Sequence, residues 1–256
     1  MAKSIVFENR LLKNRSLMQR LLGTASLNNL IFQSWVLKNR LFPAKRHPSR
    51  EEYMTQQEEV FQERYEEKLD IWSDMPADRE LASWFFDQLP EGDHHFLDIG
   101  TGRARDVEEF LRRRGGHGEG IDLVELENWG ELRERWGERI TLTSGSFLDY
   151  QPSKPFTAVS AVGVLGHQHP DDHAAFLARV REVLAPGGYF GLCAFHMKSE
   201  KTPGRLIYQD NRFWKFYSTN EIRELLEGAG FEWIDSYAQH HAFLPYLMTI
   251  SRRKDA

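Results

Sequence analysis

The chain has 256 residues, of which 41% are hydrophobic and 28% are charged, and this composition is typical of a globular protein rather than of a disordered or fibrous one. The longest apolar run, near residues 158–166, is too short to cross a bilayer, so no membrane span is expected. A single cysteine, Cys193, excludes an internal disulfide, and without a signal-peptide pattern at the N-terminus the chain is expected to be cytoplasmic.

The first fifty residues are strongly basic. They contain ten lysines and arginines and one acid, Glu8, for a net charge of +9, whereas the whole chain carries −5. A basic arm of this kind can face solvent as part of a helical lid, gather an anionic substrate, or contact a nucleic acid or a membrane surface. A mitochondrial transit peptide is a further interpretation, which the arm's apolar pattern disfavours because it is typical of packing helices.

Apolar periodicity predicts four helices ahead of the first strand. Two of them precede a candidate linker at residues 44–50, a third begins near Glu51, and a fourth covers residues 76–89. We therefore predict an N-terminal helical arm or lid over residues 1–75 and a second domain over residues 76–256. The apolar faces of the arm could also pair subunits into a homo-oligomer. The candidate lid contacts are Tyr53, Tyr65 and Trp72.

Residues 96–104, which read FLDIGTGRA, are the most informative stretch. An apolar strand runs into an acid, a Gly-x-Gly turn and an amphipathic helix, as in the nucleotide sites of open parallel α/β sheets. The dinucleotide fingerprint needs a glycine at the position of Arg105, so that fingerprint is incomplete. The carboxylate of Asp98 would repel a pyrophosphate but suits a cationic ligand. S-adenosylmethionine, which carries an ammonium and a sulfonium group, is such a ligand.

These residues resemble the first motif of class I S-adenosylmethionine-dependent methyltransferases, Asp-x-Gly-x-Gly-x-Gly, with Ala104 in place of the last glycine. The order of the later elements is also similar, including the LAPGG run at 184–188 and a terminal hairpin, so the resemblance covers residues 76–253. It implies an α/β fold with a Rossmann-like sheet of seven strands, strand seven antiparallel, and an N-terminal helical extension. It also implies S-adenosylmethionine as the cofactor.

A second acid, Asp122, ends the second strand about where a ribose diol would be held, and a carboxylate can accept from both hydroxyls. The third strand leads into Gly145, where the family usually continues with an acid that meets adenine. Ser146 replaces that acid, so the adenine contact is expected from the backbone and the Phe147 ring. The predicted cofactor-binding residues are Asp98, Gly100, Thr101, Gly102, Asp122, Leu123, Ser146, Phe147 and Val162.

Histidines cluster after the fourth strand. His167 lies at the carboxyl edge of the sheet, where ligands bind, and is the candidate base or orienting group. A surface or helix-capping role is the alternative interpretation. His169 and His173 follow with two aspartates, but the spacing matches no standard zinc pattern, so no metal site is predicted.

The segment from 196 to 217 reads as a long loop, and such loops are often functional. Its aromatic and cationic side chains could hold an apolar body that bears a carboxylate or phosphate. The alternative is that the aromatic residues only pack the loop against the core. The candidate substrate-binding residues are Tyr208, Arg212 and Trp214.

We expect a methyltransferase that acts on a small molecule, which could be anionic, at an oxygen, nitrogen or carbon atom. The Asn/Asp-Pro-Pro-Tyr/Phe motif of nucleic-acid amino methyltransferases is missing after the fourth strand, so a nucleic-acid partner is not expected. Two alternatives remain open. One is an RNA or protein methyltransferase that uses the basic arm, and the other is a cyclase-like or regulatory protein that binds the cofactor without transferring a methyl group.

Overall fold

The computed structural model describes residues 37, 47–67, 70, 76–197, 204–239 and 244–255. Apart from Leu37, the two helices predicted before the linker lie outside these residues, as does Trp72. The homo-oligomer predicted from those helices also lies outside the described part of the chain. Among the described residues, no helix is long and apolar enough to cross a membrane.

The described residues form one sheet of nine strands, seven of which make the core of the fold. Their order is β3-β2-β1-β4-β5-β9-β8, with the first five strands parallel and β9 antiparallel to β5. The sequence-based prediction of a seven-stranded Rossmann-like sheet with an antiparallel last strand is therefore confirmed. The seven strands are β1 (His95–Ile99), β2 (His117–Asp122), β3 (Ile140–Ser144), β4 (Phe156–Val162), β5 (Leu184–His196), β8 (Phe231–Gln239) and β9 (Tyr246–Arg253).

Helices cover both faces of the sheet because successive strand residues point to opposite sides. Phe96 of β1 packs into a core with α2 and α3, and Leu97 packs into a second core with α5 and α6. Helix α1 starts at a capping box made by Ser49 and Glu52, close to its predicted start. The helices are α1 (Arg50–Glu66), α2 (Pro76–Gln88), α3 (Arg105–Arg114), α4 (Trp129–Trp136), α5 (His173–Val183) and α6 (Thr219–Gly228).

The predicted loop between residues 196 and 217 contains a β-hairpin, so that prediction was wrong. Strands β6 (Arg205–Gln209) and β7 (Arg212–Tyr217) pair through a two-residue turn. The turn residues Asp210 and Asn211 have φ of 53° and 56°, which is the geometry of a type I′ hairpin turn. Aspartate and asparagine tolerate this left-handed conformation better than other residues with a side chain.

The hairpin stands beyond the carboxyl end of β4. Phe195 of β5 pairs with Tyr246 of β9 and also with Phe216 of β7, so β9 and β7 lie on opposite sides of β5. Strand β4 occupies the same side as β7 but pairs with β5 only as far as Val162 and Cys193. Strand β7 therefore takes the place that β4 leaves, and the hairpin lies at the ligand-binding edge of the sheet.

Candidate cofactor and acceptor site

The Gly-x-Gly turn after β1 is fixed to β2 by its backbone. The N–H groups of Gly100 and Thr101 both donate to the carbonyl of Ile121, at 2.8 and 3.0 Å. Gly100 has a φ of +71°, and a Cβ there would collide with Cγ2 of Val164. The position therefore requires glycine. The contact also places the segment after β4 directly against the turn.

Gly102 is held from two directions. Its N–H donates to Oδ2 of Asp122 at 2.8 Å, and its carbonyl accepts from the indole N–H of Trp129 at 2.8 Å. Its φ is +51°, and a Cβ there would lie 3.1 Å from the hydroxyl of Tyr65 in α1. Ala104 also has a left-handed φ, 56°, so the alanine adopts the conformation that the family's glycine would favour. The turn is thus rigid, and α1 lies over it.

Asp98 is a buried carboxyl at the end of β1. It is 3% exposed and accepts a hydrogen bond from Oγ of Ser160 at 2.6 Å. Burial, together with the nearby carboxylate of Asp106, raises the pKa of Asp98 to about 7. A cation bound beside this group would favour its ionised form. The carboxyl is therefore suited to a positively charged ligand.

Asp122 closes β2 and faces the same turn. Besides Gly102, it accepts from the backbone N–H of Val124 at 3.3 Å. Burial raises the pKa of Asp122 to about 6, although its backbone hydrogen bonds oppose that rise. A carboxylate oxygen can accept two hydrogen bonds, so Asp122 can hold the turn and still accept from a ribose hydroxyl.

The predicted adenine contacts lie after β3. Oγ of Ser146 accepts from the N–H of Leu148 at 3.2 Å and caps a short 3-10 turn. The ring of Phe147 is buried, with its centroid 5.3 Å from that of Phe176 in α5. Both side chains therefore have local partners, and the contacts of the Phe147 ring and the loop backbone with adenine stay predictions. The remaining predicted cofactor residues, Leu123 and Val162, are partly buried at the carboxyl ends of β2 and β4.

Beside the cofactor turn, aromatic rings gather around His167 in what we call the acceptor cluster: Phe61, His167, Phe195, Arg212 and Trp214. The ring centroid of His167 lies 4.6 Å from that of Trp214, 5.1 Å from Phe195 and 6.2 Å from Phe61. The guanidinium of Arg212 lies 4.6 Å from the Trp214 ring centroid. The cluster thus combines flat apolar surfaces with one stacked cation.

His167 has a defined tautomer. Its Nδ1–H donates to the backbone carbonyl of Phe213 at 2.7 Å, so Nε2 carries the lone pair. Burial, reinforced by the charge of Arg212, lowers the pKa of His167 to about 3. The ring is therefore neutral at physiological pH and can accept a hydrogen bond through Nε2, but it is a weak base.

A single hydroxyl joins three segments of the acceptor side. The hydroxyl of Tyr53 in α1 donates to the backbone carbonyl of His167 at 2.5 Å and accepts from the N–H of Phe213 at 3.1 Å. An ion pair between Arg50 and Asp172, 2.5 Å apart, ties the start of α1 to the turn before α5. Helix α1 is thereby fixed over the carboxyl edge of the sheet.

A family model described as a methyltransferase domain matches residues 60–236. The chain belongs to this family. Among solved structures, it is similar to the Burkholderia thailandensis 1,6-didemethyltoxoflavin N1-methyltransferase, crystallised with 1,6-didemethyltoxoflavin and S-adenosylhomocysteine. The two are 31% identical with a TM-score of 0.77, over 83% of this chain and 93% of that one. The predicted S-adenosylmethionine cofactor and the enzyme class are confirmed.

More distant structures share the fold alone. The [4+2]-cyclase SpnF is 16% identical with a TM-score of 0.58, over 70% of this chain and 82% of that one. The glycopeptide N-methyltransferase MtfA is 17% identical with a TM-score of 0.54, over 70% and 91% of the two chains. No curated protein matches the sequence.

The residues of this methyltransferase fit its cofactor. Two buried carboxyls, Asp98 and Asp122, flank a turn whose glycines leave space that a Cβ would fill. S-adenosylmethionine carries positive charge at its methionine end and a diol on its ribose, which match a carboxylate on each side of the turn.

The predicted substrate residues do not all lie together. Arg212 and Trp214 join the acceptor cluster, whereas Tyr208 pairs across the hairpin with Phe213 and so lies on the opposite face from Trp214. Phe213 and Phe216 are buried and pack the hairpin down. Sequence analysis did not select Phe195 as a candidate, because no local pattern distinguishes one aromatic residue from its neighbours in a continuous apolar strand.

The histidines after β4 bond to separate partners. Nδ1 of His169 accepts from the N–H of Asp171 at 3.3 Å, and Nδ1 of His173 lies 2.9 Å from the hydroxyl of Tyr217. All three rings contact strand β7: His167 bonds to the carbonyl of Phe213, His169 lies 5.2 Å from the Phe213 ring between centroids, and His173 bonds to Tyr217. The histidines therefore hold the loop after β4 and the start of α5 against the hairpin.

Proposed function

We propose that this methyltransferase transfers a methyl group from S-adenosylmethionine to a ring nitrogen of a planar heteroaromatic small molecule. The observation that carries the proposal is the acceptor cluster, where flat rings and one cation lie beside the cofactor turn. The similar Burkholderia enzyme, named for N1 methylation, was crystallised with 1,6-didemethyltoxoflavin. A sequence identity of 31% over 83% of this chain supports an acceptor of related chemistry for this methyltransferase.

On the cofactor side, Asp98 would hold the ammonium of the methionine part and Asp122 the ribose diol. Gly100 and Gly102 would let the ligand lie against the backbone. When bound, S-adenosylmethionine supplies a methyl group that the sulfonium charge already activates. The task left to the protein is to align the acceptor, and alignment of this kind contributes up to roughly 7–11 kcal/mol.

On the acceptor side, we assign Trp214 and Phe61 to stacking against the planar ring. Arg212 suits a carbonyl oxygen or a negative charge on the acceptor. His167 would accept a hydrogen bond from an acceptor N–H through Nε2 and so set its orientation. Because the pKa of His167 is about 3, the ring would not retain a proton. The proposal therefore favours a nitrogen whose lone pair is available without a strong base.

Helix α1 forms the described part of the lid in this proposal. Tyr53 fixes it to the acceptor cluster and Tyr65 reaches the cofactor turn. A lid that contacts both halves of the site would exclude water from the transfer. The boundary proposed at residues 75 and 76 then separates two parts of one site rather than two independent functions.

The test is to incubate the purified protein with ¹³C-methyl S-adenosylmethionine and a panel of planar N–H heterocycles that includes 1,6-didemethyltoxoflavin. NMR would then show which atom carries the label. A labelled N-methyl product supports the proposal. Label on oxygen or carbon, or label found only in added RNA or protein, contradicts it. Intact cofactor together with a rearranged acceptor would favour the cyclase-like alternative.

A further inference from the structure

The face of the sheet opposite α2 and α3 carries a polar groove near its β2–β3 edge. The groove has a volume of about 740 Å³, and its walls include His117 and Glu119 of β2 and Tyr150 after β3. Polar side chains on a sheet face are unusual when neighbouring strand positions are fully apolar. The ionisable groups on this face are therefore candidates for binding a ligand.

Strand register brings three ligand-type side chains together there. His95 of β1 pairs directly with His117 of β2, and Glu119 follows two residues later on the same face. In the part of the chain that the structure describes, these three side chains form a group of potential metal ligands. Their ligand atoms all lie within 4.8 Å of one another. Because the side chains project from paired strands, the backbone fixes their spacing.

The distances suit a shared ion. Nε2 of His95 lies 2.6 Å from Oε1 of Glu119, and Nε2 of His117 lies 3.7 Å from the same oxygen. Two ligands of one tetrahedral zinc ion lie about 3.3 Å apart when the metal–ligand bonds are about 2.0 Å. The two observed distances bracket that value, so small side-chain rotations would bring the ligands into place.

The surrounding partners also point to a cation. Nδ1 of His95 faces the carbonyl of Pro155 at 3.3 Å, and the hydroxyl of Tyr150 donates to Oε2 of Glu119. Both nitrogens of His95 therefore face oxygen acceptors, but a neutral imidazole has only one N–H to donate. The second contact needs another positive charge, which is either a proton or a metal ion. An imidazole bonded to a carbonyl and a carboxylate bonded to a tyrosine match the outer partners of protein metal ligands.

We propose that His95, His117 and Glu119 form a site for one divalent transition-metal ion of the zinc class. Two imidazole nitrogens and one carboxylate oxygen suit zinc, cobalt and nickel, and the open groove leaves room for water as a fourth ligand. The site lies about 10 Å along β1 from Asp98, at about 3.3 Å per residue, and on the other face of the sheet. The ion therefore joins β1 to β2 and lies away from the carboxyl of Asp98.

The experiment uses the full-length protein after treatment with a chelator and dialysis. Titration with Zn²⁺ by calorimetry and with Co²⁺ by visible absorption should show one ion per chain. We expect His117→Ala and Glu119→Gln to weaken binding at least 100-fold, and Tyr150→Phe to weaken it about tenfold, as loss of an outer partner does. The control is the double variant His240→Ala/His241→Ala, because adjacent histidines can bind metal by themselves. It should bind as the wild type does.

The proposal is overturned if the wild type binds no Zn²⁺ at millimolar concentration. It is also overturned if His117→Ala binds unchanged, or if the His240/His241 double variant loses the ion. Should the strand variants fail to fold, anomalous diffraction at the zinc edge from wild-type crystals soaked in Zn²⁺ decides the matter. A peak between the three side chains supports the site, and peaks only elsewhere contradict it.

Discussion

The two halves of the site are assembled in different ways. In the cofactor half, the turn at 100–102 bonds to Ile121, Asp122 and Trp129, all within thirty residues along the chain. In the acceptor half, the hydroxyl of Tyr53 contacts groups 114 and 160 positions away. The first half is local and made largely of backbone, whereas the second joins side chains from distant segments.

Because the two halves are built from different segments, we expect cofactor binding and acceptor recognition to be separable. The cofactor half depends on buried charge and on glycine geometry, which suit S-adenosylmethionine. The acceptor half depends on a hairpin and a helix that pack onto the edge of the sheet. Substitutions in one half should therefore leave the binding constant of the other half nearly unchanged.

The largest expected effect is in the cofactor half. Asp98→Asn should weaken S-adenosylmethionine binding by up to about 100-fold, because a charged hydrogen bond contributes about 1.5–3 kcal/mol. Calorimetry measures this loss, with the exposed Asp93→Asn as the matched control. A dissociation constant within threefold of the wild type would contradict the assignment of Asp98.

The same variant should melt at a higher temperature than the wild type at pH 8. Burial raises the folded-state pKa of Asp98 to about 7 from 3.8, so the unfolded chain binds fewer protons between these values. Stability from this group therefore falls as pH rises through that window. Asp98→Asn removes this loss of stability. The melting temperatures of the variant and the wild type should therefore differ less at pH 5 than at pH 8.

A somewhat smaller effect is expected from pH alone. Protonation of Asp98 competes with binding of the cofactor's ammonium, so affinity should fall as pH drops from 7.5 to 5.5. With a pKa of about 7, one proton released on binding predicts a loss of roughly 25-fold. Calorimetry across this range measures it, and in Asp98→Asn the dependence should shrink to the roughly fourfold loss that Asp122, with a pKa of about 6, can contribute. An equally steep dependence in that variant would assign the titration to another group.

Tyr53→Phe should impair turnover of the acceptor and leave cofactor binding unchanged. The buried carbonyl of His167 and the N–H of Phe213 would lose their shared partner, which costs about 1–3 kcal/mol. We expect a loss of about tenfold in kcat/KM for the acceptor, with the cofactor dissociation constant unchanged. Tyr189→Phe, at the amino end of β5, is the control. An equal loss of cofactor affinity in Tyr53→Phe would show that the two halves of the site are not separable.

The smallest effect is expected from His167→Asn, because an asparagine amide can still donate to the carbonyl of Phe213. A group that orients the acceptor should cost about tenfold or less in kcat/KM, roughly one hydrogen bond. Since the pKa of His167 is about 3, the pH–rate profile between pH 5 and 8 should keep its shape. A loss of 10²–10⁴-fold, the range of general acid–base catalysis, would instead establish His167 as a base.

Sequence reasoning predicted the fold and the cofactor motif but missed the hairpin and the cluster on the opposite face. The turn at Asp210 and Asn211 lacks the glycine that usually marks a two-residue hairpin. The ring of Phe147, which stays a predicted adenine contact, lies 5.3 Å between centroids from the ring of Phe176, a neighbour 29 positions away that no local pattern indicates. His95 and Glu119 are 24 positions apart, so only the parallel register of β1 and β2 brings them together.

The cofactor half follows from local sequence, because a strand, a glycine turn and two acids within 25 residues specify local backbone geometry and buried charge. Packing between distant segments sets which rings surround His167, which face of the hairpin carries Trp214, and which strand residues pair across the sheet. These features depend on packing between segments far apart along the chain. Such contacts leave no local periodicity or spacing from which they can be predicted.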